Sequence, residues 1–433
     1  MLDSWLIRDA TIVTMDDDRR VLPAADLLIE GSDIAGIFAS GEARPDLPPD
    51  HIVDASGMVA LPGLINAHTH CAMTLLRGYA DDMELMPWLE KRIWPVETKL
   101  EADDVYWGTL LGIAEMIRGG VTCFNDMYHF FEAAARAALD SGMRAVVSGV
   151  LLAFLPDAEE RLDYAIKFAR EWRDRGDGLL LTMLGPHAPY TVPNHFLDRV
   201  IEGAQEVGVG IHIHVSETQG EVEESRRDYN QTPVERLSEI GLLDVTPVAA
   251  AHCVHLTEGD IETLVQKRVG ISHCPGSNMK LASGVAPIPK LLEAGAIVGL
   301  GTDGPASNNN LDMLEEARLA ALLHKTHTGD PTVVPAYTAL EMATRGSAEV
   351  LGIADRVGRI EPGMKADIAV LDFQQPHLFP AHDVVSHLVY AARAGDVRTV
   401  FINGRPVMLD GKLLTVDEEE VYGRVRDRLK RLI

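Results

Sequence analysis

The sequence predicts an α/β fold, a (β/α)8 TIM barrel, with a small β-sandwich built from the N- and C-terminal segments. Three observations predict it. Apolar strand-like runs alternate with helix-like segments eight times through the middle of the chain, the mark of a parallel α/β architecture. Short strands separated by Gly, Asp and Pro, with no long amphipathic helix, fill the first sixty residues and return after residue 366. Histidines and acids collect where the central runs end. In a barrel that rim is where residues distant in sequence converge on an active site.

In chain order, the N-terminal strands read as 5–13, 25–30, 34–39, 51–54 and 58–61. The barrel strands read as 64–67, 121–126, 145–151, 180–184, 210–215, 248–253, 270–274 and 297–301. They are near-continuous apolar runs, as parallel strands buried on both faces should be. Helical segments fall at 131–140, 161–173, 193–206, 232–240, 257–267 and 311–323. An open doubly wound sheet is the rival arrangement, but no dinucleotide-type glycine pattern opens the first unit. Strands at 367–373, 397–402, 405–409 and 412–414 then surround Asn403-Gly404 and Asp410-Gly411, residue pairs suited to two-residue hairpin turns. Each terminal β unit is too small to bury much by itself. The two are therefore expected to join, 1–61 with 367–433 as a composite sandwich and 62–366 as the barrel. The tail, 416–433, reads as a charged surface helix.

The chain has 433 residues, with 65 Asp and Glu against 39 Lys and Arg and a formal charge of -26. A field of that sign repels phosphate backbones and anionic lipid, so neither nucleic acid nor membrane is an expected partner. No apolar run approaches the roughly 18–20 residues of a membrane span. The N-terminus lacks the basic-then-apolar pattern of a secretory signal. Cys71, Cys123, Cys253 and Cys274 include no CxxC, and a reducing, cytoplasmic setting is expected.

Four strand ends carry the chemistry. His68-Thr69-His70 follows the first barrel run, and alternate residues of an extended segment share a face, so both rings can reach one ion. Alone, such a pair is more often incidental. His212 and His214 share a face in the same way; one can be a ligand at the mouth while the deeper one packs inside the barrel. Glu217 lies three residues beyond His214, a position suited to a proton shuttle beside a metal's water, or simply to a solvated loop acid. His252 ends an alanine run, where an imidazole is costly unless it is paired or used, and His255 competes with it. The side chain of Cys253 should point away from that of His252. Asp303 sits in Gly299-Leu300-Gly301-Thr302-Asp303-Gly304, where an aspartate can ligate a metal and accept a proton from its water, or cap an Asx turn. Together His68, His70, His214 and Asp303 make an N3O set for one zinc ion per subunit, with iron or manganese also acceptable to such donors. Glu217, His252 and Asp303 then surround the water. No lysine in 180–184 is available to bridge a second metal. Such an apparatus attacks an electron-poor sp² carbon. It suits deamination of an aminopurine, hydrolysis of a cyclic amide or removal of another ring substituent, and the ligand set does not choose among them.

PGLINAHTH, HVSET, AHCVHL, GLGTDG and the C-terminal GRIEPGMKADIAVLD resemble the amidohydrolase superfamily over essentially the whole chain. HTHCAMTLLRGYADDMELMPWLEKRIWPVE (68–97) and MLGPHAPYT (183–191) are similar to the 5-methylthioadenosine/S-adenosylhomocysteine deaminases. The resemblance implies a zinc-dependent homodimer or homotetramer acting on a small nucleoside. Its reaction would turn the adenine of methylthioadenosine, adenosine or S-adenosylhomocysteine into hypoxanthine and release ammonia. It implies His68, His70, His214 and Asp303 as zinc ligands, Glu217 as the proton shuttle that reads the purine, and His252 beside the hydrolytic water. It also implies substrate contacts from Glu97 to the ribose hydroxyls, His187 to the purine and Trp88 against the nucleoside. The alternatives are a guanine deaminase or a triazine hydrolase. A non-catalytic scaffold would be expected to have lost ligands, and here every ligand position is filled. Similar proteins that take the homocysteine tail well have a pair of arginines. Arg161 matches the second, but Gly149 stands in the place of the first. Loss of a bidentate carboxylate partner predicts that methylthioadenosine or adenosine is preferred to S-adenosylhomocysteine.

Overall fold

The computed structural model describes residues 3–39, 42 and 49–433. Five strands open the chain: β1 (Ser4–Val13), β2 (Val21–Glu30), β3 (Asp33–Phe38), β4 (His51–Asp54) and β5 (Met58–Pro62). Eight parallel strands follow in sequence order around the barrel. They are β6 (Leu64–Thr69), β7 (Val121–Tyr128), β8 (Arg144–Leu151), β9 (Leu180–Pro186), β10 (Gly210–Val215), β11 (Val248–His252), β12 (Gly270–His273) and β13 (Ile297–Leu300). Four strands complete the set: β14 (Ile368–Asp372), β15 (Val397–Ile402), β16 (Arg405–Leu409) and β17 (Lys412–Leu413). All the expected strands form.

The barrel is a packed core. Ile65, Ala67, Cys123, Val146, Met183 and Ala249 fill its axis and rest on Val350 and Ile353. The seam between β6 and β13 is drawn together by Asn66. Its amide oxygen accepts the Thr302 N–H at 3.0 Å, and its amide nitrogen donates to Thr302 Oγ1 at 2.8 Å. The Asp303 N–H donates to the His68 carbonyl at 3.0 Å. Gly301 makes this approach possible, because a Cβ there would lie 2.8 Å from backbone atoms of His68. The seam thus brings Asp303 beside His68.

Helices at Phe131–Ser141, Ala158–Trp172, Asn194–Val207, Pro233–Glu239, Glu258–Gln266 and Met313–Thr328 cover the outside, as expected, and Glu418–Leu432 forms the charged tail helix. One long helix, Ala102–Arg118, is absent from the sequence reading. Its buried face includes Gly108, Thr109 and Gly112 as well as Val105, Ile113 and Met116, so small residues blur the apolar period that would reveal it.

The terminal strands join in one nine-stranded sheet, ordered β17-β16-β15-β14-β5-β1-β2-β3, with β4 also paired to β1. β5 and β14 splice the two ends antiparallel, from Met58 opposite Asp372 to Pro62 opposite Ile368. The sheet curls on itself. Trp5 of β1 and Phe401 of β15 have ring centroids 5.4 Å apart, whereas three flat strand spacings would separate them by about 14 Å. Asn403 and Gly404 have φ of 51° and 75°, and Asp410 and Gly411 have 46° and 75°. Two successive left-handed residues are what a type I′ hairpin requires.

Sheet and barrel are locked by a buried ion pair. Arg144, at the start of β8, gives Nε and Nη2 to the two oxygens of Asp367 at 2.7 and 2.9 Å, and Asp367 also accepts the Asn403 N–H at 2.8 Å. Among the described residues no helix is long and apolar enough to cross a membrane.

Candidate metal centre

His68, His70, His214 and Asp303 meet at the barrel rim, each offering one donor atom, all within 4.8 Å of one another. The ring orientations are fixed from behind. His70 Nδ1 lies 2.6 Å from the Met127 carbonyl and His214 Nδ1 lies 2.6 Å from the His187 carbonyl. A carbonyl only accepts, so both Nδ1 atoms carry hydrogen and both Nε2 atoms, 3.3 Å apart, face the centre. His68 Nε2 is wholly buried without a hydrogen-bond partner, 3.3 Å from Asp303 Oδ1. Burial lowers His68 to about 4 and holds His214 well below its ordinary value. Burial works against a charged His70, yet the Asp303 carboxylate pushes it up to about 9. Three imidazole nitrogens, one of them buried and orphaned, and one carboxylate oxygen fit a single zinc ion.

Asp303 divides its oxygens between two tasks. Ser277 and Ser307 hydroxyls donate to Oδ2 at 2.6 and 2.7 Å, while Oδ1 faces His68 and His70 at 3.3 and 3.2 Å. Burial alone would raise this carboxyl, but the adjacent His68 and His70 rings outweigh it and hold the group well below the usual carboxylate range.

Glu217 stands outside the ligand cluster. Its Oε2 is 3.7 Å from His252 Nε2, and the Ser283 hydroxyl donates to Oε1 at 3.3 Å. Burial, reinforced by the Asp303 charge, pushes its carboxyl up to about 8, so it holds a proton at neutral pH. Its backbone is pinned by Glu221, which accepts the N–H groups of Ser216 and Glu217 at 2.8 Å each. The His252 ring meets the Asn278 amide through Nδ1 at 2.9 Å. Burial lowers it to about 4, leaving a neutral imidazole. Ser216, His252 and Asp303 have φ of 51°, 71° and 61°. A left-handed non-glycine residue costs about 1–3 kcal/mol and persists where its surroundings over-determine it. Here it turns each strand end toward the centre.

Above the cluster opens a cavity of about 630 Å³, including its mouth. Trp88, Glu97 and His187 line it, as do His252 and Glu217. The Trp88 indole donates to the Ala80 carbonyl at 3.0 Å. A π-helical turn at Leu89–Ile93 separates Trp88 from Trp94, and both rings reach the cavity. Burial would raise Glu97, but the His129 ring, 3.7 Å away, and the Tyr128 hydroxyl bring it below its ordinary value. His187 Nδ1 lies 3.0 Å from Thr191 Oγ1, whose own hydrogen goes to the Ala188 carbonyl. The imidazole therefore donates there and keeps its Nε2 lone pair. Burial, then the charge of His70, lowers His187 to about 3.

One expected contact, Arg161, is not brought in. Arg161 is absent from the cavity lining and pairs with Asp157 at 2.8 Å on the half-exposed side of its helix. Gly149 faces the helical layer, where a Cβ would lie 2.3 Å from the Phe131 ring. Its neighbour Val150 lines the cavity instead. His255 bonds the Ser283 carbonyl at 2.6 Å and stays off the cavity wall. Cys253 turns back toward the Ala250 carbonyl, and all four cysteines are buried and unpaired.

The sequence reading missed His129, Tyr128, Trp94, Tyr190 and Ser307 in the cavity, and Ser277, Ser283 and Asn278 behind it. His129 follows β7 directly, so the strand-end rule that found the ligands applies to it too. The serines and Asn278 carry no such signal, since hydroxyl and amide residues are ordinary in loops.

A profile of the amidohydrolase family matches residues 59–407. A 5-methylthioadenosine/S-adenosylhomocysteine deaminase of Pelotomaculum thermopropionicum is 52 % identical over 99 % of this chain and 98 % of its own. That of Desulforamulus reducens is 49 % identical over 100 % and 99 %. Among solved structures, an adenosine deaminase from Xanthomonas campestris with bound zinc has a TM-score of 0.95 and 38 % identity, covering 100 % of this chain and 98 % of that one. An atrazine chlorohydrolase from Arthrobacter aurescens complexed with zinc has a TM-score of 0.90 and 27 % identity, covering 98 % and 100 %. With end-to-end identity of this order and a rim that assembles all four expected ligands, the chain belongs to the amidohydrolase family and, within it, to the 5-methylthioadenosine/S-adenosylhomocysteine deaminases.

Proposed function

We propose that this chain hydrolytically deaminates the adenine ring of 5′-methylthioadenosine and adenosine, giving the inosine analogue and ammonia, and acts more slowly on S-adenosylhomocysteine. One observation carries the reading. A zinc-type ligand cluster shares its cavity with Glu217, a buried carboxyl that is not a ligand and lies beside His252.

Held by His68, His70, His214 and Asp303, zinc supplies Lewis acidity and a water of near-neutral pKa. Asp303 and His252 would orient the water toward purine C6, and Asp303 would accept its proton. Glu217 protonates purine N1 as the water oxygen adds at C6. The C6–N bond then breaks: the proton on Asp303 passes to the amine, which leaves as ammonia, the proton of the added hydroxyl returns to Glu217, and the ring keeps the oxygen as a C6 carbonyl. His187 offers Nε2 to the purine. Glu97, held ionised by His129 and Tyr128, accepts from the ribose hydroxyls, and Trp88 covers the nucleoside.

The substrate ranking is supported by the wall around the remaining space. Ile93, Trp94, Val150 and Leu152 suit a methylthio group, and among the described residues no Lys or Arg lines the cavity. An α-carboxylate would lose its water without gaining a cation. The unpaired cysteines support a reducing, cytoplasmic location. The homodimer or homotetramer rests on the family alone.

The test is steady-state turnover of the zinc-loaded protein on the three nucleosides, following loss of adenine absorbance and ammonia release. Rapid turnover of methylthioadenosine with clearly slower S-adenosylhomocysteine is expected. Equal rates on both would overturn the ranking, and no turnover of any of the three would overturn the deaminase reading.

A further inference from the structure

We infer that His212 is a positioning residue for the metal centre. It determines which nitrogen of His68 carries hydrogen, and so keeps His68 Nε2 free to coordinate. The inference rests on the cluster being a zinc site and is independent of the substrate.

His212 lies on β10 two residues before His214, is fully buried, and belongs neither to the ligand cluster nor to the cavity lining. Its Nε2 is 2.7 Å from His68 Nδ1. An imidazole can donate or accept, so this contact alone leaves the His68 tautomer open. The direction is set one residue further back. The Ser148 hydroxyl donates its only hydrogen to the Asp126 carbonyl at 2.9 Å. Toward His212 Nδ1, 3.4 Å away, Ser148 can then only accept. His212 Nδ1 therefore carries the hydrogen, His212 Nε2 accepts, and His68 Nδ1 donates. The lone pair of His68 is left on Nε2, the atom that faces Asp303 without a hydrogen-bond partner.

The other two histidine ligands do not need such a relay. His70 and His214 each have a backbone carbonyl at 2.6 Å from Nδ1, and a carbonyl fixes the tautomer outright. His68 has an imidazole behind it instead, and Ser148 with the Asp126 carbonyl supplies the missing polarity. Partners behind metal-bound histidines are typically worth about 10–100-fold in metal affinity.

The experiment measures zinc affinity by competition with a chromophoric chelator for wild type, His212→Leu, His212→Gln and Ser148→Ala, so it does not depend on turnover. Leucine removes the acceptor, whereas the glutamine carbonyl can occupy the place of Nε2. His212→Leu is expected to weaken zinc binding about 10–100-fold, His212→Gln to stay near wild type, and Ser148→Ala to fall between. If His212→Leu does not fold, Ser148→Ala against His212→Gln decides by the same order. Wild-type affinity in His212→Leu, equal losses in leucine and glutamine variants, or an unaffected Ser148→Ala would each overturn the relay. A wild-type protein that takes up no zinc would overturn the metal centre and this inference together.

Discussion

Replacing Glu217 by glutamine removes an ionisable proton and little else. The amide keeps the length of the side chain, its place 3.7 Å from His252 and its contact with Ser283. Glu217 is outside the ligand cluster, so zinc content should not change. What is lost is the acid that protonates the purine. A positioned general acid is worth about 10²–10⁴ in rate, or roughly 3–5 kcal/mol of barrier, so kcat should fall by that factor with KM little altered. The pH profile gives a second signature. Burial and the Asp303 charge push Glu217 up to about 8, and the protonated form is the working one. Activity should therefore hold below that pH and fall as pH rises through it, and the glutamine variant should lack this alkaline limb. The assay is adenine absorbance loss on methylthioadenosine across a neutral-to-alkaline series, with zinc measured in the same samples. A variant within about tenfold of wild-type kcat, an alkaline limb that survives the substitution, or zinc lost with the carboxyl would refute the reasoning.

Other consequences concern stability and recognition. Asp367→Ala leaves the Arg144 guanidinium buried without its counter-ion and the Asn403 N–H without an acceptor. It should cost about 3–5 kcal/mol in denaturant unfolding, and a midpoint equal to wild type would contradict the lock between sheet and barrel. Gly149→Arg drives a side chain into the Phe131 ring. It should lower the melting temperature and give no gain on S-adenosylhomocysteine; increased turnover of that substrate would show that position 149 reaches the cavity. Glu97→Gln should raise KM for ribonucleosides by about 10–100-fold, the worth of a charged hydrogen bond, with kcat less affected. An unchanged KM would remove Glu97 from the ribose.

Much of the site was legible because it depends on short-range backbone rules. The alternation of side chains along a strand puts His68 with His70, and His212 with His214, on common faces. The shared direction of parallel strands then delivers all the ends, Asp303 included, to one rim. The turn pairs Asn403-Gly404 and Asp410-Gly411 were legible for the same reason, since left-handed φ is a local property.

Other features depend on which distant residues closure brings together. Asn66 meets Thr302 across the seam, Arg144 meets Asp367, and the two serines close on Asp303 only once the strands have a register. Gly149 stands where the family resemblance places a substrate-binding arginine, but the pleat of β8 turns it toward Phe131 and gives the cavity to Val150. The sequence by itself determined the strand count, the hairpins and the identity of the ligands. The tertiary structure alone decided the curl of the terminal sheet, the side of the wall each residue faces, and which hydrogen each buried imidazole carries. A pattern repeating over a few residues can specify a backbone and a face. A hydrogen bond between residues far apart in sequence needs ångström-scale placement that only the closed barrel provides.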